Sequence, residues 1–199
     1  SQGANALFMP EPGAMYHPDH GTWVEVPELS RGLCGLSRPV HFRGVCTVVL
    51  KLFMLTGADV AVFGQKDWQQ QAILRRMVRD LDVPVRIETR ETVREADGLA
   101  LSSRNVYLSA DERAHAPEIR KALLVAQKLA QSGETSVKLL REAVLRRWAE
   151  FLPLGRLDYL SIVHPESMTP LTEVTGPALM ACAVRVGKAR LIDNILLRS

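Results

Sequence analysis

Apolar runs of helical length alternate with shorter apolar runs in the first half of the chain. Residues 43–57 form an apolar stretch of helical length that ends at a glycine, and residues 58–64 follow as a short run rich in β-branched residues. Residues 66–82 return to apolar positions at helical spacing, and residues 83–90 form a second strand-like run. Helix, strand, helix and strand of these lengths predict βαβ units and a parallel sheet.

Finer patterns give three further predictions in this half. In the second helical stretch, Ile73, Met77 and Leu81 are spaced to share one apolar face. Residues 5–10 are typical of a short buried strand that a proline ends. Residues 22–26 alternate between apolar and polar positions, as a strand does.

The pattern changes near Thr92, where we expect a second domain to begin. Two helical segments occupy residues 112–131 and 136–151, and Ser132 and Gly133 separate them. They are followed by three strand-like segments, at residues 156–164, 179–189 and 190–197, with a glycine–lysine turn before the last. Helices beside a small antiparallel sheet predict an α+β class for the second half.

Composition limits the class of protein. The chain has 199 residues, of which 47% are hydrophobic and 24% charged, as in a globular protein that buries a core. It has no run of about eighteen apolar residues and its first residues do not resemble a signal peptide, so we expect a cytoplasmic protein without membrane contact. Three well-separated cysteines are typical of buried thiols in a reducing compartment. The formal net charge of +3 favours small anionic ligands and does not require nucleic acid.

The first candidate site is the turn where the first predicted strand passes into a helix. Ligands of open α/β sheets bind at the carboxyl ends of strands, and Gly64 allows a ligand to approach the backbone closely. The free N–H groups of the next helix favour a phosphate or carboxylate. Lys66 adds positive charge, Asp67 can accept a hydrogen bond from a sugar hydroxyl, and Gln70 lies one turn further on. The residues leave open an alternative, in which Asp67 only caps the helix and Lys66 is solvated.

Histidines give two further candidates. His41 lies in a loop shaped by Pro39 and Gly44, just before the first long helix. There it is either an anion ligand and proton carrier or a structural histidine. His17 and His20 flank an aspartate, but a proline lies between them and no further ligand cluster completes a metal site. We expect this segment to be a polar surface loop.

The fourth candidate is the polar segment at residues 97–113. The hydroxyls of Ser102 and Ser103, the local N–H groups and the Arg104 guanidinium are suited to bind a triphosphate. The alternative is a capped turn, because Ser109 and the glutamate three residues later form a capping box. That box leaves the two earlier serines and the arginine unexplained.

Three long motifs occur in a fixed order: RPVHFRGVCTVVLKLF, FGQKDWQQQAILRRMVRDLDVPV and TVREADGLALSSRNVYLSADER. Together with GKARLIDNIL near the C-terminus, they resemble the pantoate–β-alanine ligase family over essentially the whole chain. The resemblance implies an α/β fold, with an N-terminally incomplete, Rossmann-like nucleotidyltransferase domain at residues 1–92. It also implies a small α+β C-terminal domain with a phosphate-gripping loop at residues 93–199, and a homodimer.

The resemblance further implies an enzyme that uses ATP and Mg²⁺ to join (R)-pantoate to β-alanine through a pantoyl-adenylate intermediate. The implied ATP-binding residues are Gly64, Gln65, Lys66, Asp67, Val93, Leu101, Ser102, Ser103 and Arg104. The implied catalytic residues are Lys66, Ser102, Ser103, Arg104 and His41. Gln70 is implied to contact pantoate, and Arg38 to flank the site with His41.

One motif of the family has no counterpart in this chain. Family members carry a His-x-Gly-His motif in a region that precedes the matched one, and its histidines stabilise the transferring phosphate. His17 and His20 have the same spacing but lie elsewhere in the pattern and lack the glycine, so we do not assign them this role. We therefore expect this chain alone to be inactive or strongly impaired. The alternative function is that of a fragment that only binds nucleotide.

Overall fold

The structure, a computed structural model, describes residues 3–198. Its first half builds a two-stranded parallel sheet with helices packed against it. The elements of this half are α1 (Pro12–Met15), α2 (Pro27–Ser30), α3 (Cys34–Ser37), α4 (His41–Thr56), β1 (Val60–Gly64), α5 (Trp68–Asp80) and β2 (Arg86–Arg90). A single 3-10 turn, Gln65–Asp67, joins β1 to α5. The predicted helix–strand–helix–strand order and the parallel pairing of β1 with β2 are confirmed.

Local sequence explains how the two long helices of this half end. Gly57 adopts the left-handed conformation (φ 58°) after α4, and its N–H donates to the Phe53 carbonyl at 3.0 Å. In α5, Ile73 and Met77 are buried on one face as predicted. Leu81 is instead half-exposed (51%), because it follows the last helical residue and leaves the apolar face.

The second half contains three helices and a three-stranded sheet. Its elements are α6 (Ala110–His115), α7 (Glu118–Gln131), α8 (Val137–Phe151), β3 (Gly155–Val163), β4 (Ala178–Val186) and β5 (Ala189–Arg198). Ser109 and Glu112 form the predicted capping box at the start of α6. The helix predicted at residues 112–131 is two helices, since Pro117 lacks an N–H group and interrupts the hydrogen bonding.

Strand β4 joins the two halves of the molecule. It pairs antiparallel with both neighbours, in the order β3–β4–β5, and the predicted turn to β5 contains Gly187 (φ 54°). Met180 and Cys182 pack in a core with α7 and α8, whereas Leu179 and Ala181 belong to a second core with α4 and α5. Both faces of β4 are therefore buried, which explains its nearly continuous apolar sequence.

Two predicted strands are absent from the structure. Residues 5–10 and 22–26 contain no regular strand, and Leu7 is 83% exposed. A strand requires a hydrogen-bonded partner strand, and neither segment has one within residues 3–198. The second segment instead lies against α4, where the Val24 N–H donates to the Thr47 hydroxyl at 3.0 Å.

No helix in the described part of the chain is long and apolar enough to cross a membrane. The boundary near residue 92 stays a prediction, and residues 1, 2 and 199 of the two predicted domains lie outside the described range.

Candidate active site

A cavity of about 590 Å³ lies between the first half of the chain and the three-stranded sheet. One wall comes from α3 and the starts of α4 and α5, and the opposite wall comes from β3, β4 and β5. Residues from all three candidate segments retained by sequence analysis line it: Arg38, His41, Lys66, Asp67, Gln70 and Arg104. The fold therefore gathers side chains that lie far apart in sequence, and their individual roles stay predictions.

The turn after β1 is fixed by side chains that bind its carbonyl groups. The Asn194 Nδ2 group donates to the carbonyl oxygens of Gln65 (3.1 Å) and Lys66 (2.9 Å). The side-chain amide of Gln71 donates to the Gly64 carbonyl. Three successive carbonyls of the turn thus have side-chain partners, which fix its shape.

The start of α5 presents polar side chains to the cavity. Asp67 occupies the N-cap position but makes no capping hydrogen bond, so its carboxylate is not committed to the helix end. Gln70 lines the cavity one turn further on. Gln69 is buried and donates to the carbonyls of Leu29 (2.9 Å) and Gly32 (2.8 Å), which fixes the loop on the same wall.

The predicted phosphate-gripping segment lies directly beside this turn. Lys66 Nζ donates to the Leu101 carbonyl at 3.1 Å, so the two predicted motifs are in contact. Arg104 lines the cavity, and its N–H donates to Ser102 Oγ at 3.2 Å, which caps a 3-10 helix at Ser103–Tyr107. The two serines and the exposed Leu101 side chain do not line the cavity in this structure.

A small hairpin supports that segment. Arg94 forms an antiparallel bridge with Ala100, and the Leu101 N–H donates to the Val93 carbonyl at 2.9 Å. Gly98 adopts a left-handed conformation (φ 92°) at its tip. Val93, Gly64 and Gln65 do not line the cavity. Val93 and Gly64 are exposed to solvent elsewhere on the surface.

Ionic contacts tie this hairpin to α6. Arg113 binds the carboxylates of Glu95 (2.5 Å) and Asp97 (2.6 Å), and the Asn105 amide donates to Glu95 at 2.9 Å. Hydrogen bonds from Asn105 and Arg113 lower the pKa of Glu95, and the bond from Arg113 lowers the pKa of Asp97. Both groups therefore stay ionised at neutral pH.

His41 is the first residue of α4 and faces the cavity. Burial lowers the pKa of its imidazole, and the positive charge of Arg38 lowers it further, against the opposing effect of Asp67. The imidazole is consequently neutral at pH 7 and able to accept a proton.

Positive charge dominates the cavity wall. Its cationic residues are Arg38, Lys66, Arg104, Arg185 and Arg190, and its carboxylates are those of Asp67 and Asp193. Asp193 is already engaged by Arg94 in a two-point ion pair of 2.8 and 2.9 Å. Burial lowers the pKa of Lys66, which brings its ammonium group nearer to titration and makes an anionic partner favourable there. This charge distribution is suited to a polyanion such as a triphosphate.

Sequence reasoning missed part of the wall, which β3 and β5 supply. The Tyr159 hydroxyl lies 3.4 Å from the Cys34 sulfur, and the Arg190 guanidinium donates to that sulfur at 3.5 Å and to Asp158 at 2.8 Å. Burial raises the pKa of Tyr159, so it remains a neutral phenol. A usable signal was present in the motif GKARLIDNIL, where charged and amide residues interrupt an otherwise apolar strand.

The histidine pair near the N-terminus lies outside this cavity. His17 is exposed, and the His20 ring packs edge-on against Tyr16 and Trp23, with centroids 4.9 and 5.1 Å apart. Within residues 3–198 no three metal-ligating side chains form a cluster.

Comparison with known proteins places this geometry in a family. The family model described as pantoate-beta-alanine ligase matches residues 1–196. The chain belongs to the pantoate–β-alanine ligase family. A pantothenate synthetase from Desulfovibrio desulfuricans is 81% identical over 199 residues, covering 100% of this chain and 71% of the relative. Another, from Nitratidesulfovibrio vulgaris, is 58% identical over 197 residues, covering 99% of this chain and 70% of the relative.

Solved structures of the pantoate–β-alanine ligase family share the fold. The pantothenate synthetase of Thermus thermophilus superimposes with a TM-score of 0.93 at 44% identity, over 99% of this chain and 71% of that one. The Francisella tularensis ligase, solved in complex with beta-gamma ATP and beta-alanine, gives a TM-score of 0.70 at 27% identity, over 93% of this chain and 62% of that one. The family resemblance and the α/β fold predicted from sequence are confirmed.

Proposed function

We propose that this chain functions in the ATP-dependent ligation of (R)-pantoate and β-alanine to pantothenate, and that its lack of a His-x-Gly-His motif leaves the chain alone inactive or strongly impaired. The observation that carries the proposal is the convergence of Lys66 and Arg104, from two separate motifs, with Gln70 and His41 on one cation-rich cavity. Family membership supports the two substrates, and the ATP-complexed Francisella tularensis ligase supports the nucleotide.

In the first step, a carboxylate oxygen of pantoate attacks the α-phosphorus of ATP. A phosphorus–oxygen bond forms to give pantoyl adenylate, and the bond to the β-phosphate bridging oxygen breaks to release pyrophosphate. Lys66 and Arg104 place positive charge where the phosphate oxygens gain negative charge. Gln70 orients pantoate, and the fixed turn beside it keeps the reacting groups aligned.

In the second step, the β-alanine amine attacks the acyl carbon and AMP leaves with the electron pair of the broken acyl–oxygen bond. The attacking nitrogen must lose a proton as the amide forms. His41 is neutral at pH 7 and faces the cavity, so we assign it as the acceptor of that proton.

The described residues do not build a dedicated Mg²⁺ site. Asp67 and Asp193 are the carboxylates on the cavity wall, and Asp193 is bound on both oxygens by Arg94. Mg²⁺ commonly binds through substrate phosphates and water, so in this proposal the ion enters with ATP.

Pantoate-dependent exchange of labelled pyrophosphate into ATP tests the first step. Because this chain has no His-x-Gly-His motif, we expect at most weak exchange by the wild-type chain and none by Arg104→Met. Arg146→Met, on α8 outside the cavity, is the control for loss of one arginine. ATP binding without exchange would favour the nucleotide-binding fragment. The absence of both ATP binding and pyrophosphate exchange would overturn the proposal.

The family resemblance also supports a homodimer, which sedimentation equilibrium tests directly.

A further inference from the structure

Two neighbouring residues of β5, Asp193 and Asn194, are buried polar groups in an apolar strand. They are 4% and 8% exposed, and Ile195 and Leu191 beside them belong to the hydrophobic core. Burying an amide or a carboxylate is unfavourable unless hydrogen bonds replace the lost water contacts. The partners of these two side chains therefore show what the pair does.

Asn194 binds the turn that follows β1. Its single Nδ2 group donates to the carbonyls of both Gln65 and Lys66, at 3.1 and 2.9 Å. One amide group therefore contacts two successive carbonyls, which fixes the position of the turn. Two residues of this turn line the cavity: Lys66, and Asp67, which follows it.

Asp193 binds the hairpin that leads into the phosphate-gripping segment. Its two oxygens accept hydrogen bonds from Arg94 at 2.8 and 2.9 Å. Arg94 also donates to the Gly98 carbonyl at 3.1 Å and bridges Ala100, so it is part of the hairpin frame. That frame carries the chain into Ser102 and Arg104.

The pair thus connects the turn after β1 with the hairpin that contains Arg94. Successive side chains of a strand point to opposite faces, so adjacent positions of β5 can hold one segment each. The sheet does not depend on these contacts, because β5 pairs with β4 along its length through backbone hydrogen bonds.

We propose that Asp193 and Asn194 are positioning residues that set the distance between the two ATP-binding segments. The inference rests on the proposed function, since it assumes that Lys66 and Arg104 bind the same triphosphate. If either contact is lost, one ATP-binding segment can shift relative to the other. Lys66 and Arg104 can then no longer bind the same triphosphate equally well.

Isothermal titration calorimetry of ATP with the whole chain tests the inference. In Asn194→Leu the side chain keeps a similar size and gains no charge but can no longer donate to the two carbonyls; Asn194→Ala removes it. We expect the ATP dissociation constant to rise roughly tenfold in either variant, the effect of losing two hydrogen bonds. In the exchange assay we expect KM for ATP to rise more than KM for pantoate.

Gln127→Ala is the matched control. Gln127 also donates a side-chain amide to β5, at the Leu196 carbonyl (2.7 Å), but it lies on α7 and does not line the cavity. A merely structural role predicts that the Asn194 variants and Gln127→Ala lower the melting temperature and leave ATP affinity unchanged. The positioning role predicts a selective loss of affinity in the Asn194 variants.

The outcomes separate this inference from the proposed function. If wild-type chain does not bind ATP, the proposed function fails. If wild type binds ATP and folded Asn194 variants bind it equally well, the positioning role is wrong and the proposed function stands. If the Asn194 variants do not fold, Arg94→Lys replaces them, because lysine keeps a positive charge beside the buried Asp193 carboxylate but cannot make the two-point contact. Unchanged ATP affinity in Arg94→Lys would then overturn the inference.

Discussion

Replacement of Lys66 by methionine is the sharpest perturbation of the proposed site. The substitution removes the ammonium group and keeps an unbranched side chain of similar length. Lys66 is half-buried, and its Nζ makes one hydrogen bond, to the Leu101 carbonyl at 3.1 Å. The expected changes in stability and in ATP binding therefore differ in size.

The effect on stability is small. One intramolecular hydrogen bond contributes about 0.5–1.5 kcal/mol, and methionine avoids the burial penalty that lowers the pKa of Lys66. These contributions oppose each other, so we expect the free energy of unfolding to change by less than about 1 kcal/mol. ATP binding loses a charge-assisted contact of about 1.5–3 kcal/mol, which raises the dissociation constant about 10- to 150-fold.

Calorimetric titration with ATP and urea unfolding of the same samples measure both quantities. Lys138→Met is the control, because Lys138 is exposed on α8, lines no part of the cavity and gives the same change in net charge. Lys66→Arg should recover part of the affinity, since it restores the positive charge. A folded Lys66→Met variant that binds ATP within about twofold of wild type would refute the assignment of Lys66 to the phosphates.

Three further predictions concern the fold. Ile73→Ala should lower the free energy of unfolding by about 2–5 kcal/mol in urea titrations, because Ile73 is fully buried; a loss below about 1 kcal/mol would contradict its place in the core. The unfolded chain binds a proton at His41 near pH 6.5 and the folded chain only at lower pH, so stability should fall as the pH drops below about 6.5. His41→Gln should lose less stability between pH 7 and pH 5, and identical pH profiles would argue against a lowered pKa for the partly buried imidazole. Gly187→Ala should lower the melting temperature, because alanine is strained at φ 54° and its Cβ would meet the Glu112 carboxylate; an unchanged melting temperature would contradict this turn geometry.

Local pattern determined most of the helices and strands. The predicted alternation of α4, β1, α5 and β2 is correct because each depends on the spacing of apolar residues and on an end signal such as Gly57. The capping box at Ser109 is correct for the same reason. The prediction failed for residues 5–10, because the same apolar pattern forms a strand only where another strand pairs with it.

The site residues that sequence predicted also depend on local motifs, and the one that it missed depends on a long-range contact. Lys66 and Arg104 were found from sequence because each lies in a loop motif whose residue types suit phosphate, and the structure places both on one cavity. Asn194 was missed, since its role depends on contact with Gln65, which lies 129 positions away in the sequence. The local pattern of apolar and polar residues cannot predict a contact between residues so far apart in the sequence.

Sequence by itself determined most of the helices and strands, the family resemblance and the two phosphate-type motifs of this protein. Tertiary structure alone decided that β4 is buried on both faces, that the two motifs touch through Lys66 and Leu101, and that β5 binds both of them. The reason is physical: helix and strand patterns arise from neighbours along the chain, whereas the cavity arises from packing the three-stranded sheet against the first half of the chain.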